Sequence, residues 1–196
     1  MIDYIKGTIT ELSPAQLVLE NNGIGYSILI SLQTYQALQE KKEAKVYISH
    51  YLREDTEEYY GFATKDEREL FELLISVSGI GVASARMMLS SLSAEEIRQA
   101  ILAEDVARIK SIKGIGVKSA QRLIIELKDK VVKGEGSDST ELFGGTARNE
   151  IVEEATRALI MLGFTKPAVN KAIQAILKAN PNAKVEQIIK SALQMM

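Results

Sequence analysis

The chain has no cysteine among its 196 residues. That excludes disulfides, thiolate metal sites and cysteine nucleophiles, and it fits a reducing compartment. No apolar run approaches the ~18–20 residues that a membrane-spanning helix needs. The opening Met1-Ile2-Asp3-Tyr4-Ile5-Lys6 lacks the basic region and long apolar stretch of a secretory signal, so a cytoplasmic location is expected. The single histidine, His50, has no Ser, Cys or second His nearby in sequence to suggest a triad or a zinc set, and it reads as structural. No catalytic residue, metal ligand or cofactor is expected. Excess positive charge is missing as well: the formal net charge is −2, which by itself argues against a polyanionic partner. A mean can hide a local patch, however, so charge has to be counted by segment.

What is present falls into an α+β pattern. Ile2–Thr10, Gln16–Glu20, Ile24–Ser31, Lys45–Leu52 and Glu58–Phe62 are rich in Ile, Val, Tyr and Leu and read as five strands. Asn21-Asn22-Gly23 supplies residues that tolerate positive φ, as a tight hairpin needs. Arg53-Glu54-Asp55-Thr56-Glu57 reads as a second hairpin tip. Five short strands in some sixty residues suggest a small closed barrel of the OB type, over 1–64. Beyond Thr64 the period becomes helical. Leu70, Phe71, Leu74 and Val77 share one helical stripe, and Val117, Ala120, Ile124, Leu127 and Val131 share another. Ser93-Ala94-Glu95-Glu96 has the form of a capping box. Residues 65–133 thus form a helical domain. Residues 134–147, dominated by Gly, Ser and Thr, read as a flexible linker. Residues 148–196 read as a three-helix module broken at Gly163 and at Asn180-Pro181-Asn182. The apolar positions Val169, Ile173, Ile176 and Ile188 exceed what so small a module buries easily, so part of that stripe is expected to face a partner.

The helical domain contains an internal repeat. Leu74-Ile75-Ser76-Val77-Ser78-Gly79-Ile80-Gly81-Val82-Ala83-Ser84-Ala85 aligns with Ile109-Lys110-Ser111-Ile112-Lys113-Gly114-Ile115-Gly116-Val117-Lys118-Ser119-Ala120 at an offset of 35 residues. Each copy is an apolar helix end, a Gly-Ile-Gly turn and a new helix. Glycine lets the backbone turn sharply and approach a partner closely. The next helix begins at once, so its unpaired amides and positive dipole end point into the turn, an arrangement suited to a phosphate oxygen. A single copy could be only a tight inter-helix turn; two with matching flanks favour a paired anion site. Dinucleotide binding is disfavoured because no third glycine follows and the flanks look helical. Gly116-Val117-Lys118-Ser119 lacks the glycine before the lysine that a P-loop requires.

Charge supports phosphate. Between Val106 and Lys133 lie eight basic residues, Arg108, Lys110, Lys113, Lys118, Arg122, Lys128, Lys130 and Lys133, against Glu126 and Asp129, a local net of +6. The candidate DNA contacts are Gly79, Gly81, Ser84, Arg86, Gly114, Gly116, Lys118, Ser119 and Arg122. Glu54, Asp55, Glu57 and Glu58 cluster at the second hairpin tip. Three readings are open there: an ordinary solvated turn, a hard-cation site, or a negative pin directed at DNA.

Met1-Ile2 with Gly7, the Arg53-Glu54-Asp55 tip followed by Tyr60-Gly61-Phe62, both Gly-Ile-Gly hairpins, Leu127-Lys128-Asp129, the linker and the tail come in one order. In that order the chain resembles, over nearly its whole length, the RuvA family of Holliday-junction branch-migration subunits. The resemblance implies a non-catalytic protein that binds four-way DNA junctions regardless of sequence, in recombination and repair. It implies a homotetramer, with an octamer left open, whose hairpins hold the arms' backbones. Glu54 and Asp55 would be the family's acidic pin. Residues 148–196 would dock the hexameric ATPase RuvB, and the junction resolvase RuvC is a further implied partner. One departure stands out: relatives often carry a lysine in the first hairpin, where this chain has Gly81-Val82-Ala83, and Arg86 is the expected substitute. Two other classes stay open, a structure-specific nuclease with magnesium at the acidic tip and a helical protein-interaction scaffold.

Overall fold

A computed structural model describes residues 1–134, 147–180 and 183–195. The chain divides into two compact units, Met1–Asp138 and Ser139–Met196.

The first unit begins with five strands: β1 (Tyr4–Ser13), β2 (Gln16–Asn21), β3 (Ile24–Ile30), β4 (Glu43–Leu52) and β5 (Glu57–Phe62). They close in the order β1-β2-β3-β5-β4, with β4 returning to β1. All pairings are antiparallel except β3 with β5. This is the expected five-stranded barrel. Its core comes from strict alternation: Ile5, Leu17, Leu19, Ile28, Ile30, Val46 and Ile48 point inward and are buried. The β2–β3 turn is the tight hairpin expected of Asn22-Gly23, with φ of 50° and 79° at its two central residues. Gly7 is required for a different reason: a Cβ there would lie 2.0 Å from the Glu20 carbonyl oxygen.

Helix α1 (Leu32–Leu38) between β3 and β4 was not expected from sequence. Seven residues give barely two turns, too few for periodicity to show. It is started by Ser31, whose hydroxyl accepts from the Thr34 amide at 3.0 Å.

Five helices follow: α2 (Lys65–Ile75), α3 (Val82–Ser91), α4 (Ala94–Leu102), α5 (Val106–Lys110) and α6 (Val117–Gly134). The capping box forms as expected: the Ser93 hydroxyl accepts from the Glu96 amide, and the Glu96 carboxylate accepts from the Ser93 amide. The barrel end and the helices share one core, in which Phe71 lies 4.9 Å from Phe62 and 5.2 Å from Tyr60 between ring centroids. A buried carboxylate strengthens that seam. Glu67 of α2 accepts from Ser31 Oγ at 2.6 Å, Thr34 Oγ1 at 2.9 Å and the Ala63 amide at 3.3 Å. Burial pushes its pKa up, and these hydrogen bonds pull back against it.

The second unit has α7 (Ala147–Met161), α8 (Lys166–Ala179) and α9 (Val185–Met195). Gly163 ends α7 in the left-handed conformation, φ 98°, as expected of a helix-stopping glycine. One expectation is corrected here. Val169, Ile173, Ile176 and Ile188 are all buried in the three-helix core. Three mutually packed helices cover more of each stripe than a pairwise count suggests. The outward apolar side chains are instead Ile160, Met161, Leu162, Leu193 and Met195. The expected linker, 134–147, is bounded by residues that are themselves helical, Gly134 closing α6 and Ala147 opening α7; the rest of it, 135–146, lies outside the described residues, as do Pro181 and Asn182 of the expected break.

Candidate nucleic-acid interface

The two Gly-Ile-Gly segments fold alike. Gly79 and Gly114 take φ of 93° and 90°, a conformation that side chains disfavour. In each turn the isoleucine amide donates to a residue three back, Ile80 to Val77 at 3.0 Å and Ile115 to Ile112 at 3.1 Å. Each following helix opens with the same bond, Ala85 to the Gly81 carbonyl and Ala120 to the Gly116 carbonyl, both 2.9 Å. Ile80 and Ile115 are buried and anchor the turns, while the glycines face open space. A Cβ added at Gly81, Gly114 or Gly116 would meet nothing within 4 Å; at Gly79 it would meet only Ser119 Oγ, at 3.9 Å. The first turn therefore lies beside the start of α6, and the two hairpins are neighbours. Helix α3 starts at Gly81 with no side-chain cap, leaving its first amides free for an outside acceptor.

Side-chain charge differs between the copies. Lys110, Lys113 and Lys118 around the second turn are exposed and have no carboxylate partner among the described residues. The count of +6 for this segment needs correction, because neighbouring carboxylates neutralise part of it. Arg108 pairs with Glu96 at 2.8 Å and Lys128 with Glu104, while Arg122 pairs at 2.8 Å with Glu126, an acid the count already includes. Glu96 and Glu104 lie outside the counted stretch, so a segment count could not see them. The Lys133 side chain lies outside the described residues. Of the sequence candidates, Lys118 stands free, Ser84 and Ser119 are half-buried at the helix starts, and Arg122 is engaged by its own helix. Arg86 is placed elsewhere than expected. Its guanidinium donates to the Ala15 carbonyl at 3.3 Å, across to the β1–β2 turn of the barrel. Lys110 and Lys113 were counted for charge in the sequence but not singled out; position in the repeat was the available signal.

Family models match in the same order as these units: RuvA N terminal domain over residues 1–61, SAM-like helix-hairpin-helix tandem over 71–129, and RuvA C-terminal domain over 150–196. Proteins named Holliday junction branch migration complex subunit RuvA are similar to the chain throughout. Those of Bacteroides fragilis and Bacteroides thetaiotaomicron are 51% and 50% identical, covering 98% of each chain. That of Parabacteroides distasonis is 48% identical over 100% of both. The chain belongs to the RuvA family.

Within this RuvA-family barrel the β4–β5 tip holds the other charged feature. The Arg53 amide donates to the Thr56 carbonyl at 2.8 Å and closes the turn. Glu54 and Asp55 are exposed at its end, Asp55 accepting the neighbouring Thr56 hydroxyl. Glu57 and Glu58 are engaged further back: Glu57 with His50 Nε2 at 3.0 Å and the Tyr59 hydroxyl at 3.1 Å, Glu58 with the Tyr60 hydroxyl at 2.7 Å. Burial, with Glu58 second, raises the Tyr60 pKa well above the usual phenol value. His50 also stacks on Tyr59 at 4.9 Å, in keeping with a structural role. Among the described residues no group of three or more His, Asp or Glu side chains could hold a metal ion, and no helix is long and apolar enough to cross a membrane.

Proposed function

We propose that the chain is a non-catalytic DNA-binding subunit that grips four-way Holliday junctions independently of sequence. Together with a separate hexameric ATPase, RuvB, it promotes branch migration in recombination and repair. One observation carries the grip: two adjacent hairpins of the same backbone geometry present open glycines and helix-start amides beside unpaired lysines. Such a surface holds phosphate oxygens and reads no base. Its contacts are Gly79, Gly81 and Ser84 in the first hairpin, and Gly114, Gly116, Lys118 and Ser119 in the second. Lys113 and Lys110 add charge to the second, and Arg122 adds charge when Glu126 releases it.

Glu54 and Asp55 act as a pin. Carboxylates close to phosphates repel them, by about 0.5–2 kcal/mol per pair at ~7 Å and an effective dielectric near 20–80. Four copies of the tip around a junction centre, in a homotetramer, would keep strands out of the centre and guide each into a new pairing. Residues 148–196 dock the ATPase. The names of the relatives support this reading, since they are subunits of a branch migration complex, and the outward Ile160, Met161 and Leu162 offer an apolar contact.

A gel shift comparing a four-way junction with its linear duplex tests the grip, and Glu54→Gln/Asp55→Asn tests the pin. The double variant is expected to bind junctions at least as tightly, to lose preference over duplex and to change the rate of motor-driven migration. Unchanged junction affinity, duplex affinity and migration would reduce the tip to an ordinary turn. Loss of a magnesium-dependent cleavage activity would favour the nuclease alternative.

A further inference from the structure

The barrel is acidic as a whole, with nine carboxylates against five cations in residues 1–64. Yet four of those cations, Lys6, Lys41, Lys42 and Lys45, lie on β1, on β4 or in the turn entering β4. The register sets Tyr4 opposite Tyr47 and Lys6 opposite Lys45. All four alternate with inward residues such as Ile5 and Val46, so they share the outer face. Two lysines directly opposed on a ladder repel each other. No carboxylate lies within ion-pair reach of Lys6, Lys45 or Lys65 among the described residues. Asp3, whose carboxylate is stabilised by Arg68 and also by the charges of Lys65 and Lys45, is held by Arg68 at 2.6 Å, and Glu43 sits two residues along β4.

The same face carries aromatic rings between the charges. Lys45 Nζ lies 3.8 Å from the Tyr4 ring centroid and 5.0 Å from that of Tyr47; Lys65 Nζ lies 5.9 Å from Tyr47. Tyr4 is 49% exposed, so much of its ring is open. Cations that track a backbone, interleaved with rings on which bases stack, are what a sequence-tolerant single-strand site needs.

We propose that the outer face of β1 and β4, with Tyr4, Lys6, Lys45, Tyr47 and Lys65, binds single-stranded DNA. Phosphates lie at the opposed lysines, and a base stacks on Tyr4. This rests on the DNA-binding function above but uses a surface apart from the hairpins. A strand parted at a junction would be its natural occupant.

The test uses the full chain and fluorescein-labelled oligothymidine, read by anisotropy at about 50–200 mM salt. Lys6→Gln/Lys45→Gln is expected to weaken binding on the order of tenfold and to make the log–log salt slope shallower by ~1.4, at ~0.7 per single-strand phosphate. Tyr4→Ala is expected to weaken it at least roughly fivefold, the low end of a lost base–aromatic stack. Junction affinity should hardly change in these variants, whereas Lys118→Ala should show the reverse selectivity. Lys6→Gln, which touches neither ring, keeps the test if the double variant misfolds. No oligothymidine binding at the lower salt, or binding with affinity and slope unchanged in the lysine variants, overturns the proposal. An equal loss on junction and oligothymidine would assign the face to the duplex grip and also overturn it. Failure of the hairpin reading would show separately, as junction affinity indifferent to Lys118.

Discussion

The first hairpin and the second share a backbone and differ in charge. Their positive-φ glycines agree within a few degrees, and their turn hydrogen bonds match one for one. Around the second turn stand Lys110, Lys113 and Lys118, all exposed; at the position matching Lys118, the first has Ala83. Arg86, the nearest cation in sequence to the first turn, reaches the barrel instead. The approach runs into them differ too, eleven residues in α2 and five in α5. The repeat keeps one backbone geometry in both turns, whereas side-chain charge is free to differ, and the exposed lysines concentrate at the second turn.

The largest expected effect comes from removing that charge. Lys113→Gln/Lys118→Gln should weaken junction binding on the order of tenfold or more, with a salt slope shallower by ~1.8 at ~0.9 per duplex phosphate. An unchanged slope in titrations across salt would take both lysines out of the interface.

Next come the glycines. Gly79→Ala and Gly114→Ala should each cost about 1–2 kcal/mol of stability, because both force a side chain into the left-handed region. Thermal unfolding should show similar losses for the two, while junction affinity falls further for Gly114→Ala. Equal losses of affinity would mean that backbone amides, and not lysines, dominate the grip.

Ala83→Lys sharpens the contrast from the other side. A cation restored to the first hairpin should tighten junction binding and steepen the slope by ~0.9. If the slope stays put, the first turn does not lie against phosphate.

The smallest effects are electrostatic adjustments. Glu126→Gln should cost α6 only about 0.3–0.5 kcal/mol, as exposed pairs four apart do, and should tighten junction binding slightly by freeing Arg122. Carboxylates on the two sides also titrate in opposite senses. Glu67, on the helix before the first turn, has a raised pKa, chiefly from burial. The folded state then holds its proton more tightly, so stability falls as pH rises from the usual carboxylate range through the raised value. Glu104, just before α5, is lowered by its hydrogen bond from Lys128. Its contribution is present above the usual range and disappears as pH falls through the lowered value. Urea unfolding across pH should lose the first trend in Glu67→Gln and the second in Glu104→Gln.

Much of this was open to inspection in the chain itself. Runs rich in Ile, Val, Tyr and Leu marked all five strands, Asn22-Gly23 marked a tight turn, and Ser93 with Glu96 marked a helix start. These depend on neighbours close in sequence, where φ preference and side-chain period act directly. The 35-residue repeat located both hairpins for the same reason. Tertiary structure alone decided what depends on residues far apart. The parallel pairing of β3 with β5, through which the expected barrel closes, has no local signature. Glu67 reads as a surface residue of an amphipathic helix until Ser31 and Thr34, more than thirty positions earlier, bury it and supply its hydrogen bonds. Free charge at the second hairpin likewise could not be counted along the chain, because Glu96 and Glu104 reach in from another helix and a loop to cancel part of it. Local sequence sets conformation through steric preference, but burial and electrostatic pairing are set by whichever side chains the fold brings within a few ångströms.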